Sequence, residues 1–292
     1  MTSPTDADLC VDRIGALPGY PVGLGGFLRA SRAEASRRLG RTVTQEEVGE
    51  AAGRSGRWYA RVEAGQKARL DGFQCQAIAR TLLLDRDGLQ ALRAYGMGGA
   101  IPQGNAPGLS VHARRSLQMM LDQQMPHPAW LLDHAWNVVG YNRAMAEWSP
   151  WVMEPGANLM RWGLGAGRDV LLDWEAQAEI YLAMLRFTMI QYPDDPAVRA
   201  LVSDVVASDP FLGRLWRERV DVTEGRGPLR YRAQVPNIHD GQPVTLECVT
   251  LFPAEAPSHR MVILLWVEDD DAPAVGNCDA DHELPGVAGC AA

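Results

Sequence analysis

The sequence predicts two domains, an all-α unit of five helices followed by an α+β unit built on an antiparallel sheet. Three observations predict this. Apolar residues recur at helical spacing through residues 24–95. The stretch 96–108, GMGGAIPQGNAPG, holds five Gly and two Pro, a linker composition that divides the chain. Beyond it come two short β-rich runs, then helices, then three more strands, the order of an antiparallel sheet covered on one face. A length of 292 residues suits about two ordinary domains, and 47% hydrophobic residues suffice to build their cores.

In chain order, residues 1–23 are rich in Asp, Pro and Gly and read as a flexible arm. From Leu24 a first helix carries Leu24, Phe27, Leu28, Ala35 and Leu39 inward, with Arg29, Arg32, Arg37 and Arg38 between them. Residues 40–43 form a turn. Thr44 and Glu47 then form a capping box, which starts a second helix at Gln45. Val48, Ala51 and Ala52 make its apolar face, and Gly53 ends it with a positive φ. Ser55 caps a third helix whose Tyr59 and Val62 point inward together. Gly49 is small where the two helices cross. A fourth helix carries Phe73, Ala77, Ile78 and Leu82, and a fifth carries Leu89, Leu92 and Tyr95 behind Asp85 or Asp87 as cap.

Opposite Tyr59 and Val62, the third helix presents Gly56, Arg57, Ala60 and Arg61. Arg57 and Arg61, four apart, project from one face. Such a pair is either a solvated basic surface or a reader of guanine edges and phosphates in a major groove. The segments Gln45-Glu46-Glu47-Val48, Ala52-Gly53, Ser55 and Arg61-Val62-Glu63-Ala64-Gly65 resemble those of the lambda-repressor-like, XRE-type helix-turn-helix domains. The resemblance implies double-stranded DNA as partner, with Gln45 on the backbone and Gly56, Arg57 and Arg61 at base edges. Arg54, Ser55, Trp58 and Lys67 complete the candidate DNA-binding set. Arg54 departs from the family, which places an apolar residue there, and Gly56 offers a base no side chain.

The second unit opens with a helix over Ser110–Gln124. Strands follow at 128–133 and 136–141, Asn142 caps a helix over Arg143–Trp148, and three helices start near Trp174, Pro196 and Pro210. Strands at 229–235, 244–251 and 261–267 close it, and residues 269–292 read as a disordered acidic tail. Pro128-Ala129-Trp130-Leu131-Leu132-Asp133, Trp136-Asn137-Val138 and Asn142-Arg143-Ala144 resemble the opening of the ligand-binding domain of MmyB-like regulators, and Asp173-Trp174-Glu175 and residues 192–196 and 211–216 match later landmarks. The resemblance implies a PAS-like fold over 110–268 and a small apolar, fatty-acid-like ligand. Where the family carries His-Pro before a late strand, this chain has residues 237–241, NIHDG. Eight of the nine Trp lie beyond residue 96. Trp148, Trp162, Trp174, Tyr181, Met184, Leu185 and Trp216 are the candidate walls of an apolar pocket, each also able to serve simply as core.

The net charge of −8 conceals a split. Residues 25–95 carry 13 basic against 8 acidic side chains, whereas residues from 96 onward carry 14 against 25. The basic end suits a polyanion, and the acidic end discourages indiscriminate clinging to DNA. Five scattered cysteines without a C-x-x-C pair indicate neither a disulfide framework nor a zinc site. The Gly-rich loop at 163–167 lacks the Lys-Ser/Thr of a phosphate loop, and no Ser, His and Asp set points to catalysis. The expectation is a cytoplasmic transcription regulator, not an enzyme, without metal or membrane segment. It would act as a homodimer on paired half-sites. The alternative is a C-terminal unit that only dimerises or contacts RNA polymerase.

Overall fold

The computed structural model describes residues 23–66, 68–96, 109–192, 194–219, 221–225, 229–235 and 241–267. Expectations for residues 1–22 of the arm, Lys67, residues 97–108, residues 237–240 and the acidic tail lie outside these residues, as do Cys10, Cys278 and Cys290, whereas Gly23, expected in the arm, and Gly96, expected in the linker, are helical.

The first unit comprises α1 (Gly23–Leu39), α2 (Gln45–Ala51), α3 (Gly56–Glu63), α4 (Gly72–Thr81) and α5 (Arg86–Gly96). Its helix starts follow side-chain caps. Thr44 Oγ1 accepts from the Glu47 amide, Ser55 Oγ from that of Trp58, and Asp71 and Gln74 close a full capping box ahead of α4. The box expected at Thr44 is only half formed, because the Glu47 carboxylate turns away to grip Arg41 at 2.8 and 2.9 Å. Of the two candidate caps for α5, Asp85 serves, taking the Gly88 amide at 2.7 Å.

The crossing of α2 and α3 is tight. A Cβ on Gly49 would lie 2.7 Å from the Ser55 carbonyl carbon, and one on Gly56 would lie 2.7 Å from the Glu46 Cα. Gly53, at φ +67°, ends α2. A partly buried ion pair ties three helices together: Arg32 of α1 grips Glu63 of α3 at 2.7 and 3.0 Å, and Gln45 of α2 donates to the same carboxylate at 2.7 Å.

The second unit runs α6 (Val111–Asp122), β1 (Ala129–Leu132), β2 (Val138–Tyr141), α7 (Arg143–Trp148), α8 (Leu159–Gly163), α9 (Trp174–Gln191), α10 (Pro196–Ser208), α11 (Pro210–Glu218), β3 (Leu229–Ala233), β4 (Val244–Leu251) and β5 (Arg260–Val267). The strands form one antiparallel sheet in the order β2-β1-β5-β4-β3. Side chains alternate between its faces. Trp130, Leu132, Val262 and Leu264 point into the main core with α8–α11. Ala129, Leu131, Met261 and Ile263 point the other way, onto Leu117 and Leu121 of α6. The sheet is therefore covered on both faces at this end, not on one, which is why all four residues of β1 are buried.

The two units also share a core. Phe187 and Ile190 of α9 and Val222 are buried among Phe27, Leu28, Tyr59, Ile78 and Leu92 of the first unit. The linker composition gave no hint of this contact.

Candidate functional site

Among the described residues the candidate sites are a basic surface on α3 and an apolar cavity between sheet and helices.

On α3, Tyr59 and Val62 are 0% and 2% exposed, so the opposite face must turn outward, and Arg57 and Arg61 are exposed. Arg54, Arg57 and Arg61 carry no ion pair among the described residues, unlike Arg32, Arg38 and Arg41. Three arginines left unneutralised on one small surface make a local positive field. Arg54, Trp58, Arg61, Gln66 and Arg69 line a surface cleft of about 210 Å³, with the Arg54 guanidinium 5.9 Å from the Trp58 ring centre. The other members of the candidate set are placed less openly. Gly56 is buried beneath Glu46 and cannot meet a base, since helix packing claims its missing side chain. The Gln45 amide is engaged by Glu63, and the Ser55 hydroxyl, though exposed, serves as a cap.

The cavity has a volume of about 60 Å³. Its floor is the inner face of the sheet, through Trp130, Leu229, Tyr231, Cys248, Thr250, Val262 and Leu264, and its walls include Trp136, Trp151, Trp162, Tyr181, Met184, Glu224 and Gly225. Trp151 and Trp162 stack at 4.8 Å with their planes 10° apart. Of the expected wall residues, Trp162, Tyr181 and Met184 line the cavity. Trp148, Trp174, Leu185 and Trp216 do not. Trp148 packs on Trp266 at 4.9 Å, Trp174 donates its indole N–H to the Gly163 carbonyl at 2.8 Å, Leu185 is fully buried, and Trp216 carries the Arg186 guanidinium 4.9 Å above its ring. The concentration of wide apolar side chains marks these residues as inward-facing but cannot tell core from cavity wall. The missed floor residues sit at alternate positions of β1, β3, β4 and β5, so period-two alternation was the signal that could have found them.

The polar groups of this lining are few. Burial pushes the Cys248 thiol up to about 12 and the Tyr181 and Tyr231 phenols well above their usual range, so all three stay neutral at physiological pH. The Arg260 guanidinium is buried and lies 3.6 Å from the ring centre of Trp136. The indole N–H groups of Trp130 and Trp151 are buried with no hydrogen-bond partner among the described residues. The lining therefore combines one guanidinium, the buried Glu224 carboxylate and two indole donors in a mostly apolar shell. A thiol held in its protonated form is a poor nucleophile.

Among known protein families, the profile described as MmyB-like transcription regulator ligand binding domain matches residues 113–275, more than half of the chain. No curated protein matches it significantly. No helix among the described residues is long and apolar enough to cross a membrane.

Proposed function

The chain belongs to the family of MmyB-like transcription regulators through their ligand binding domain, and from that premise we propose that it is a non-enzymatic, cytoplasmic, DNA-binding regulator whose α1–α5 unit reads an operator while its second, PAS-like unit senses a small apolar ligand. The observation that carries the DNA half is the outward pair Arg57 and Arg61 over the buried Tyr59 and Val62. In this reading α2 and α3 form a helix-turn-helix, α3 lies in the major groove, and two copies of the chain bind as a homodimer on half-sites about 34 Å apart. Selection of bound duplexes from a random pool tests it. A symmetric motif recovered with the intact protein supports the reading, and recovery of unrelated sequences contradicts it.

The ligand half rests on the cavity. The apolar lining and the N–H groups of Trp130 and Trp151 favour a fatty-acid-like molecule with its accepting end toward these donors, Arg260 sharing the lining with the Glu224 carboxylate. A second reading is favoured by a specific observation: about 60 Å³ is well under the roughly 300 Å³ at which ligand sites usually begin. In that reading the second unit holds no ligand and serves only to dimerise or to contact RNA polymerase. Extraction of the purified protein followed by mass spectrometry separates the two. A stoichiometric amphiphile supports sensing, whereas an empty extract supports the dry alternative.

A further inference from the structure

The cavity and the basic unit share one piece of chain, residues 221–225. On one side, Glu224 and Gly225 line the cavity. Gly225, at φ +72°, lies so close to α9 that a Cβ there would fall 2.5 Å from the Met184 Cε. On the other side the same five residues hold the first unit. Val222 is buried in its core, Thr223 Oγ1 donates to Asp87 Oδ2 at 2.7 Å, and the Glu224 amide donates to the same oxygen at 3.0 Å. Asp87 stands in the first turn of α5.

We propose that residues 221–225 are a coupling element, a cavity wall whose displacement by a ligand releases the clasp on Asp87 and loosens α5. The inference rests on the reading of the cavity as a ligand site. At about 15 Å³ per water, the cavity admits only a few water-sized groups, so any larger occupant must move a wall. The floor strands β1, β4 and β5 are laddered on both sides within the sheet, and β3, which carries Leu229 and Tyr231, is laddered to β4. α9 is packed between two cores. Residues 221–225 meet α9 through the Thr223 amide on the Ala183 carbonyl at 3.3 Å, through Arg186 on the Asp221 carbonyl at 3.3 Å and through Val222 packed with Phe187 and Ile190. Unlike the floor strands and α9, these residues lie outside helix and strand, so no helix or sheet ladder must break for them to move.

The consequence reaches α3 through contacts already in place. The Tyr95 ring of α5 lies 5.7 Å from that of Phe27 on α1. From α1, Arg29 donates to the Glu63 carbonyl at 2.8 Å and Arg32 grips the Glu63 side chain. Loosening α5 therefore frees the helix against which the arginine-bearing α3 is braced. A ligand shifts the equilibrium only as far as it prefers the displaced arrangement, which follows here because the undisplaced one lacks room for it.

Hydrogen exchange of the full-length protein tests this, read over residues 86–96. Gly225→Ala strains this stretch at its positive φ and crowds the Met184 methyl without any ligand, and Thr223→Val removes one of the two donors on Asp87 together with the acceptor of the Gly225 amide. Each variant is expected to speed exchange in 86–96 about tenfold, the loss of a bond to a charged acceptor, and the double variant to add little further. Exchange in 86–96 unchanged in both variants overturns the proposal. Dodecanoate supplies the ligand arm, with the Trp151 and Trp162 pair reporting binding through fluorescence. Wild-type protein is expected to bind it and loosen 86–96, and Thr223→Val to bind it with no additional loosening. Binding without any change at 86–96 overturns the coupling alone. A fluorescence signal indifferent to dodecanoate overturns the sensing reading, and the coupling with it.

Discussion

Glu63 shows how one residue organises the basic unit. Burial raises its pKa, but Arg32, then Gln45, stabilise the carboxylate strongly enough that the net position is below the ordinary range. A pKa lowered by folding means that the stabilisation is complete above the ordinary carboxylate range and is lost as pH falls through the folded value. Glu63→Gln is expected to lower stability by about 2 kcal/mol at neutral pH, the low end for a charged hydrogen-bonded pair because Arg32 keeps about a fifth of its surface in water. Urea denaturation at pH 7 and pH 3 checks both parts: the gap between wild type and variant should close at the lower pH. Cys248 supplies a second residue-level expectation. With its thiol held up to about 12 by burial, it should resist alkylation in the native protein at pH 8 and react once the protein is unfolded. Rapid native labelling at Cys248 would show that the cavity is open to solvent.

Among the elements, the α2–α3 crossing is the most sharply specified. Its caps and its small residue were legible in the sequence because each is a local effect, a hydroxyl three residues before an amide or a glycine where backbones meet. Gly49→Ala should cost about 1 to 3 kcal/mol, since its Cβ would press on backbone that cannot step aside. Thermal unfolding measures this directly, and an unchanged midpoint would mean that the crossing is looser than described. Other features were not legible for equally physical reasons. Glu47 satisfies either a cap or Arg41, and only the folded turn decides between them. The cavity floor is assembled from four strands far apart in sequence, so no window along the chain contains it. α9 is buried almost all round, and a helix apolar on every face announces burial without saying by what.

That ambiguity bears on the whole molecule. α9 faces the cavity with Tyr181 and Met184 and the basic unit with Phe187 and Ile190, so the two units are joined through one helix and residues 221–225. Phe187→Ala should therefore destabilise the first unit although it lies outside it, by about 3 kcal/mol as for a buried aromatic ring. Native-state exchange over 23–96 reads that loss. Confinement of the effect to 174–191 would show two units that merely touch.

The central claim is that α3 presents Arg57 and Arg61 to DNA. It is tested most directly by measuring, at one fixed salt concentration, the affinity of the full-length protein for its selected operator and for random duplex. Arg57→Ala and Arg61→Ala should each cost about 1 to 3 kcal/mol on the operator and far less on random DNA. Equal losses on both would make the two arginines backbone contacts, and no loss on either would contradict the account.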